Sequence, residues 1–191
     1  MKKLTLIDSL PGGQVSLDIV QVQYPFDVSF LEYPDNESDS VVVYFRGCDF
    51  ECRGCHNSGL HEVVPNDKSA KFFSQEDFYE ELKSMCVKYR TKKVVFMGGD
   101  PLAKRNRYFV KEFLFNYREE FDIAIYTGYS RIEVLQMDVR FFKYLKCGQY
   151  DETQKQISGK FDSHFVLSSA NQEWCNNHFE VLSKDGIMFF E

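Results

Sequence analysis

Apolar positions along the chain follow two periods, and the two take turns. Val41-Val42-Val43-Tyr44-Phe45 is an unbroken β-branched and aromatic run. That is the pattern of a strand buried on both faces, as in a parallel sheet. Lys93 to Met97 and Ile123 to Tyr126 predict two further strands. Between them, Phe78, Leu82, Met85, Cys86 and Tyr89 recur at helical spacing. Ser74 can cap that helix with Asp77 three residues on, and Phe73 is placed to staple onto Phe78. A second helical pattern, about Lys104 to Glu120, presents Phe109, Phe113, Leu114 and Tyr117. Ser130 with Glu133 predicts a capping box and a short helix. Phe141 to Cys147 fits a further strand or a helix end, and a closing hairpin is predicted to turn at Asp185-Gly186. Upstream, Val15 to Val20 alternates like a short strand between turn signals at Pro11-Gly12-Gly13 and Tyr33-Pro34-Asp35-Asn36.

Strand, loop, helix, strand, loop, helix, strand is the order of a parallel α/β sheet with outer helices. In such folds, functional groups gather on the loops that follow the strands. Those loops carry the three unusual stretches of this chain: a cysteine cluster within Arg46 to Gly59, Gly98-Gly99-Asp100-Pro101, and Tyr126-Thr127-Gly128-Tyr129. The pattern predicts one domain over residues 1–191, with residues 1–30 as an N-terminal extension of open role and residues 173–191 as a C-terminal hairpin.

Composition changes this picture little but excludes several functions. At 191 residues the chain is long enough for one sizeable core, and 16% aromatic residues argue against disorder. A net charge of −6 makes it a poor binder of nucleic-acid phosphates. The longest apolar run is too short to cross a bilayer, so no membrane is expected. Asp8 interrupts the apolar stretch after Met1-Lys2-Lys3, which excludes a signal peptide and predicts a cytoplasmic protein. In a reducing compartment the six cysteines read as ligands, catalysts or buried thiols rather than disulfides.

Cys48, Cys52 and Cys55 form a C-x3-C-x2-C pattern, and three thiolates so close can converge on one inorganic centre. A structural zinc ion would need a fourth ligand, for which His56 or His61 is available. A cubane iron–sulfur cluster would keep one iron without a protein ligand and open to a substrate. Cys86 shares the apolar helix face and reads as core, while Cys147 and Cys175 show no ligand spacing of their own, although they could meet and bind a second metal.

With these residues the chain resembles the radical S-adenosylmethionine superfamily and, more narrowly, the activases of anaerobic ribonucleoside-triphosphate reductases. The resemblance rests on Phe45-Arg46-Gly47-Cys48, Cys52-Arg53-Gly54-Cys55-His56-Asn57, Gly98-Gly99-Asp100-Pro101-Leu102, Tyr126-Thr127-Gly128-Tyr129 and Ser168-Ser169-Ala170-Asn171-Gln172, in family order. Gly54 departs from the aromatic residue common before the third cysteine and fits the activase branch. The resemblance implies a partial (β/α) barrel. It implies that Cys48, Cys52 and Cys55 hold a [4Fe-4S] cluster whose open iron takes S-adenosylmethionine. Gly54, His56, Gly98, Gly99, Asp100, Tyr126 and Thr127 are then the expected contacts to that cofactor, with no protein side chain as catalyst. The implied substrate is a backbone glycine of a large glycyl-radical ribonucleotide reductase, with electrons from a flavodoxin or a thioredoxin-type system. The same motifs leave open a small-molecule enzyme akin to 7-carboxy-7-deazaguanine synthase. A zinc-binding adaptor without catalysis is the third reading.

Overall fold

A computed structural model describes residues 18–35 and 37–190. Two short strands come first, β1 (Val20–Gln23) and β2 (Asp27–Ser29), then β3 (Ser40–Phe45) and β4 (Ala70–Phe73). Helices and strands then alternate: α1 (Gln75–Tyr89), β5 (Lys93–Gly98), α2 (Arg107–Asn116), β6 (Asp122–Tyr126), α3 (Arg131–Gln136) and β7 (Tyr144–Cys147). The remainder is β8 (Gly159–Phe161), β9 (His164–Val166), β10 (Glu173–Asn176), β11 (Ser183–Lys184) and β12 (Ile187–Phe189).

Strands β3, β5, β6 and β7 lie side by side in chain order, and each neighbouring pair is parallel. A crossover in one constant direction puts every helix on the same face. Side chains alternate across the sheet accordingly. Val41, Val43, Phe45, Val94, Phe96, Ile123, Ile125 and Leu145 point at the helices and meet Phe78, Leu82, Phe109, Phe113 and Val134. Val42, Val95 and Ala124 point to the other, concave face, beside Tyr33, Tyr44, Met97, Tyr126 and Tyr144. Antiparallel strands close the edges, β1 and β4 beyond β3 and β10 beyond β7. Among the described residues the sheet does not close on itself, so the architecture is an open α/β sheet with outer helices. Strands β11, β12, β9 and β8 form a second, antiparallel sheet, and its Phe165 and Met188 pack with Leu167 around Trp174 at one end of the concave face. No helix among the described residues is long and apolar enough to cross a membrane.

Local signals explain the helix ends. The Ser74 hydroxyl accepts the Asp77 N–H at 3.2 Å, and Phe73 and Phe78 meet edge to face at 5.8 Å. Both halves of the Ser130–Glu133 capping box are made. Four expectations are corrected. Helix α2 is shorter than residues 104–120, because Leu102, Ala103 and Asn106 direct their N–H groups into turns on Asp100 and Ala103. The run from Phe141 becomes a strand only at Tyr144, after Phe141 itself adopts a left-handed φ of 65°. Residues 173–191 are not one hairpin: β10 joins the main sheet, and the hairpin is β11–β12, with Asp185 and Gly186 both at positive φ. Residues 15–17 of the predicted Val15 to Val20 strand lie outside the described residues, and the strand begins at Val20.

Candidate functional site

The loop after β3 leaves and returns at one place. The Gly47 N–H donates to the Leu60 carbonyl at 2.9 Å and the Cys48 N–H to the His61 carbonyl at 3.0 Å. These bonds tie the two ends of the cysteine loop together. Arg46, read as a loop residue, is buried at 6% exposure. Its guanidinium pairs with Asp67 and donates to the Gly59 carbonyl at 3.3 Å, which fixes the loop from behind. Asp49 anchors the front, accepting from the Tyr129 hydroxyl at 2.5 Å and the Lys104 N–H at 2.9 Å. Phe50 then packs edge-on to Tyr129 at 4.8 Å and covers Gly128, where a β-carbon would lie 2.6 Å from its ring.

The loop after β5 is built against the cysteine loop. The Gly99 N–H donates to the Phe45 carbonyl and the Asp100 N–H to the Gly47 carbonyl, both at 2.8 Å. Gly98 has φ +110°, which favours glycine, and a β-carbon there would lie 2.6 Å from the Phe45 carbonyl oxygen. At Gly99 a β-carbon would lie 2.5 Å from the Gly47 oxygen and 2.7 Å from the Leu60 oxygen. The two glycines thus let one loop lie directly on the stem of the other.

Asp100 joins the third loop to these two. Its buried carboxylate accepts the Leu102 N–H at 2.7 Å, the Gly128 N–H at 2.9 Å and the Thr127 hydroxyl at 2.9 Å. Burial pushes this carboxyl up to about 6, against the pull of those bonds and of Lys146. These bonds make Asp100, one of the expected contacts to the cofactor, a clamp between the loops after β5 and β6.

These loops and the concave face enclose a cavity of about 440 Å³, within the usual range for ligand sites of roughly 300–1,000 Å³. Cys48, Cys52, Cys55, His56, Gly98, Gly99, Asp100, Tyr126 and Thr127 all line it. Gly54 does not: it is exposed, at φ +73°, and faces Tyr150 and Glu152. His56 leans on the Tyr150 ring at 6.0 Å. Tyr126 donates its hydroxyl to the Glu32 carbonyl at 2.6 Å and meets Trp174 edge to face at 5.2 Å. Ser168 and Gln172 bring the 168–172 tail to the same cavity, and Phe165, Val166 and Leu167 form a wall.

Lys146 was missed in the sequence. It is the penultimate residue of β7, between Leu145 and Cys147, which face the helices, so strand alternation turns it to the concave face and the cavity. A charged residue between two apolar ones at the end of a strand was the available signal. Burial pushes its ammonium down to about 8, and the neighbouring Asp100 pulls it back up.

The three thiols offer a soft, sulfur-rich ligand set on one cavity, which fits an iron–sulfur cluster. All are free, and burial pushes the Cys48 thiol up to about 11, so a cation is needed to hold it as thiolate. Cys48, Cys52 and Cys55 are half-buried and face one cavity, with His56 and His61 in its lining. A cluster held by these three thiolates, one per iron, would leave a fourth iron without a protein ligand.

The family model described as "4Fe-4S single cluster domain" matches residues 38–175. The GTP 3',8-cyclase of Aliarcobacter butzleri (strain RM4018) is 30% identical over 81 residues, 42% of this chain and 24% of that protein. The chain therefore matches about a quarter of the length of that relative. Among solved structures, QueE from Escherichia coli aligns at a TM-score of 0.42 and 16% identity, over 57% of this chain and 53% of that one.

Proposed function

The chain belongs to the family of 4Fe-4S single cluster domains, and from that premise we propose that it is a radical S-adenosylmethionine iron–sulfur enzyme whose substrate is a backbone glycine of a large anaerobic ribonucleotide reductase. The supporting observation is the cavity lining. The Tyr126–Gly128 loop and the Ser168–Gln172 tail, by which the sequence resembles the activases, face the same space as Cys48, Cys52 and Cys55. When bound, the reduced cluster and S-adenosylmethionine supply a carbon radical that can remove a hydrogen atom from an unactivated carbon. This chain supplies placement. Cys48, Cys52 and Cys55 hold the cluster; Gly98 and Gly99 offer backbone groups to the ligand; Lys146 offers a cation to its carboxylate; and Tyr126, with its hydroxyl engaged by Glu32, offers a ring to the adenine. A misplaced radical attacks the wrong atom, so orientation is the protein's main contribution. A flavodoxin or a thioredoxin-type system is the proposed electron source.

A second reading, a small purine-like substrate, is favoured by the comparisons: the curated relative is named for an enzyme acting on GTP, and the Phe165–Leu167 wall partly encloses the cavity. One experiment separates the two. The purified protein with reductant and S-adenosylmethionine should cleave the cofactor slowly by itself. Adding the reductase should produce an organic radical signal with glycine-type splitting on the reductase. Full turnover of a purine-like compound with no protein partner would overturn the activase reading in favour of the second.

A further inference from the structure

Strand β7 carries its last two residues to opposite sides. Lys146 enters the cavity, while Cys147 turns to the helix face. On the adjacent antiparallel strand, Glu173 pairs with Cys147, and Cys175 lies two residues further along, diagonal to it. Cys147 and Cys175 are both buried, and their sulfurs stand 3.9 Å apart. A carboxylate oxygen of Glu173 joins them, and the three donor atoms lie within 4.8 Å of one another. Among the described residues this is the one such grouping of His, Cys, Asp or Glu. We propose that Cys147, Glu173 and Cys175 form a second metal site, distinct from the cysteine loop, for a thiophilic divalent cation of the zinc type.

The geometry carries the proposal. Two thiolates, each about 2.3 Å from a tetrahedral zinc ion, stand roughly 3.8 Å apart. The observed 3.9 Å matches that spacing, whereas a disulfide would need about 2.05 Å. A carboxylate set against two buried sulfurs is repulsive if either is ionised, and a cation between the three turns the repulsion into ligation. Zinc accepts sulfur and carboxylate together, and three protein donors leave a fourth position to water. Outside the donors, Arg131 stands 3.6 Å from the Glu173 carboxylate and donates to the Phe179 carbonyl at 3.2 Å. Such outer partners orient a ligating carboxylate. The ion would fasten β10 to β7, and so hold in place the segment just before β10, where Ser168 and Gln172 reach the cavity.

The test uses the holoenzyme, with the cluster occupying the cysteine loop, equilibrated anaerobically with zinc and desalted. Elemental analysis should find one zinc per chain beside the cluster iron. A Cys147→Ser/Cys175→Ser variant should lose the zinc and keep the iron. Less than about 0.1 zinc per chain in the wild type, or zinc retained in the double variant, overturns the proposal and leaves two core thiols in contact. If the double variant does not fold, Glu173→Gln decides. Outer partners alone are worth about 10–100-fold in metal affinity, so loss of a direct ligand should weaken zinc binding at least about tenfold in a chelator competition. An unchanged affinity overturns the site.

Discussion

Gly99→Ala is the sharpest perturbation of the site, because a single methyl group meets two backbone carbonyls and no flexible side chain. The new carbon would lie 2.5 Å from the Gly47 oxygen and 2.7 Å from the Leu60 oxygen. The first oxygen accepts the Asp100 N–H and the second accepts the Gly47 N–H. Room can be made only by parting the cysteine-loop stem from the loop after β5. Overpacking of this kind costs about 1–3 kcal/mol, and each of the two hydrogen bonds at risk contributes about 0.5–1.5 kcal/mol. The total is about 2–6 kcal/mol. That lies within the roughly 5–15 kcal/mol stability of a typical domain, so the chain should still fold while its stem opens. At about 2–4 °C per kcal/mol for a protein of this size, the melting temperature should fall by roughly 5–20 °C. Iron per chain after anaerobic reconstitution and desalting should fall with it. Gly59→Ala is the control, since it lies in the same loop with nothing within 4 Å of the added carbon. It should match the wild type in both measurements. A Gly99→Ala protein that melts within about 1 °C of wild type and keeps its full iron would refute the packing argument.

Two further outcomes follow from the same site. Replacing Cys48, Cys52 or Cys55 by Ala should abolish iron retention, whereas Cys86→Ala, in the buried face of α1, should keep iron within error of the wild type; bleaching by Cys86→Ala would contradict the ligand assignment. The Asp100 carboxyl, at about 6 when folded and 3.8 ordinarily, keeps a proton in the folded state that the unfolded chain has already released between about pH 4 and 6. Stability from this group should therefore fall as pH rises through that window and level off above it, by up to roughly 3 kcal/mol. Asp100→Asn cannot titrate, so the difference in melting temperature between the two proteins should change across pH 4–6; a constant difference rejects the reading.

Much of this architecture was legible in the residues because the signals were local. Ser74 with Asp77 and Ser130 with Glu133 cap their helices through contacts three residues apart, and the apolar runs at Val41, Lys93 and Ile123 are the parallel strands. What the sequence hid was pairing over long separations. Strand β10 reads like part of a hairpin because nothing near it in the chain tells that Glu173 pairs with Cys147. The purpose of Gly98 and Gly99 was half visible. Their lack of side chains was plain, but that a carbonyl of Phe45, Gly47 or Leu60 needs the space depends on two loops separated by some forty to fifty residues. Asp100 was visible as a polar residue at the rim, while its use as a clamp required Thr127 and Gly128 to be brought beside it.

The knot of hydrogen bonds at the mouth of the cysteine loop separates folding from metal loading. Gly47 with Leu60, Cys48 with His61 and Arg46 with Gly59 close the loop through protein groups alone. The chain entropy of bringing the loop ends together is thus spent during folding and not during metal loading. Loss of a cluster from such a site should leave the stem of the loop closed. Such a molecule should then take up iron and sulfide without passing through an unfolded state.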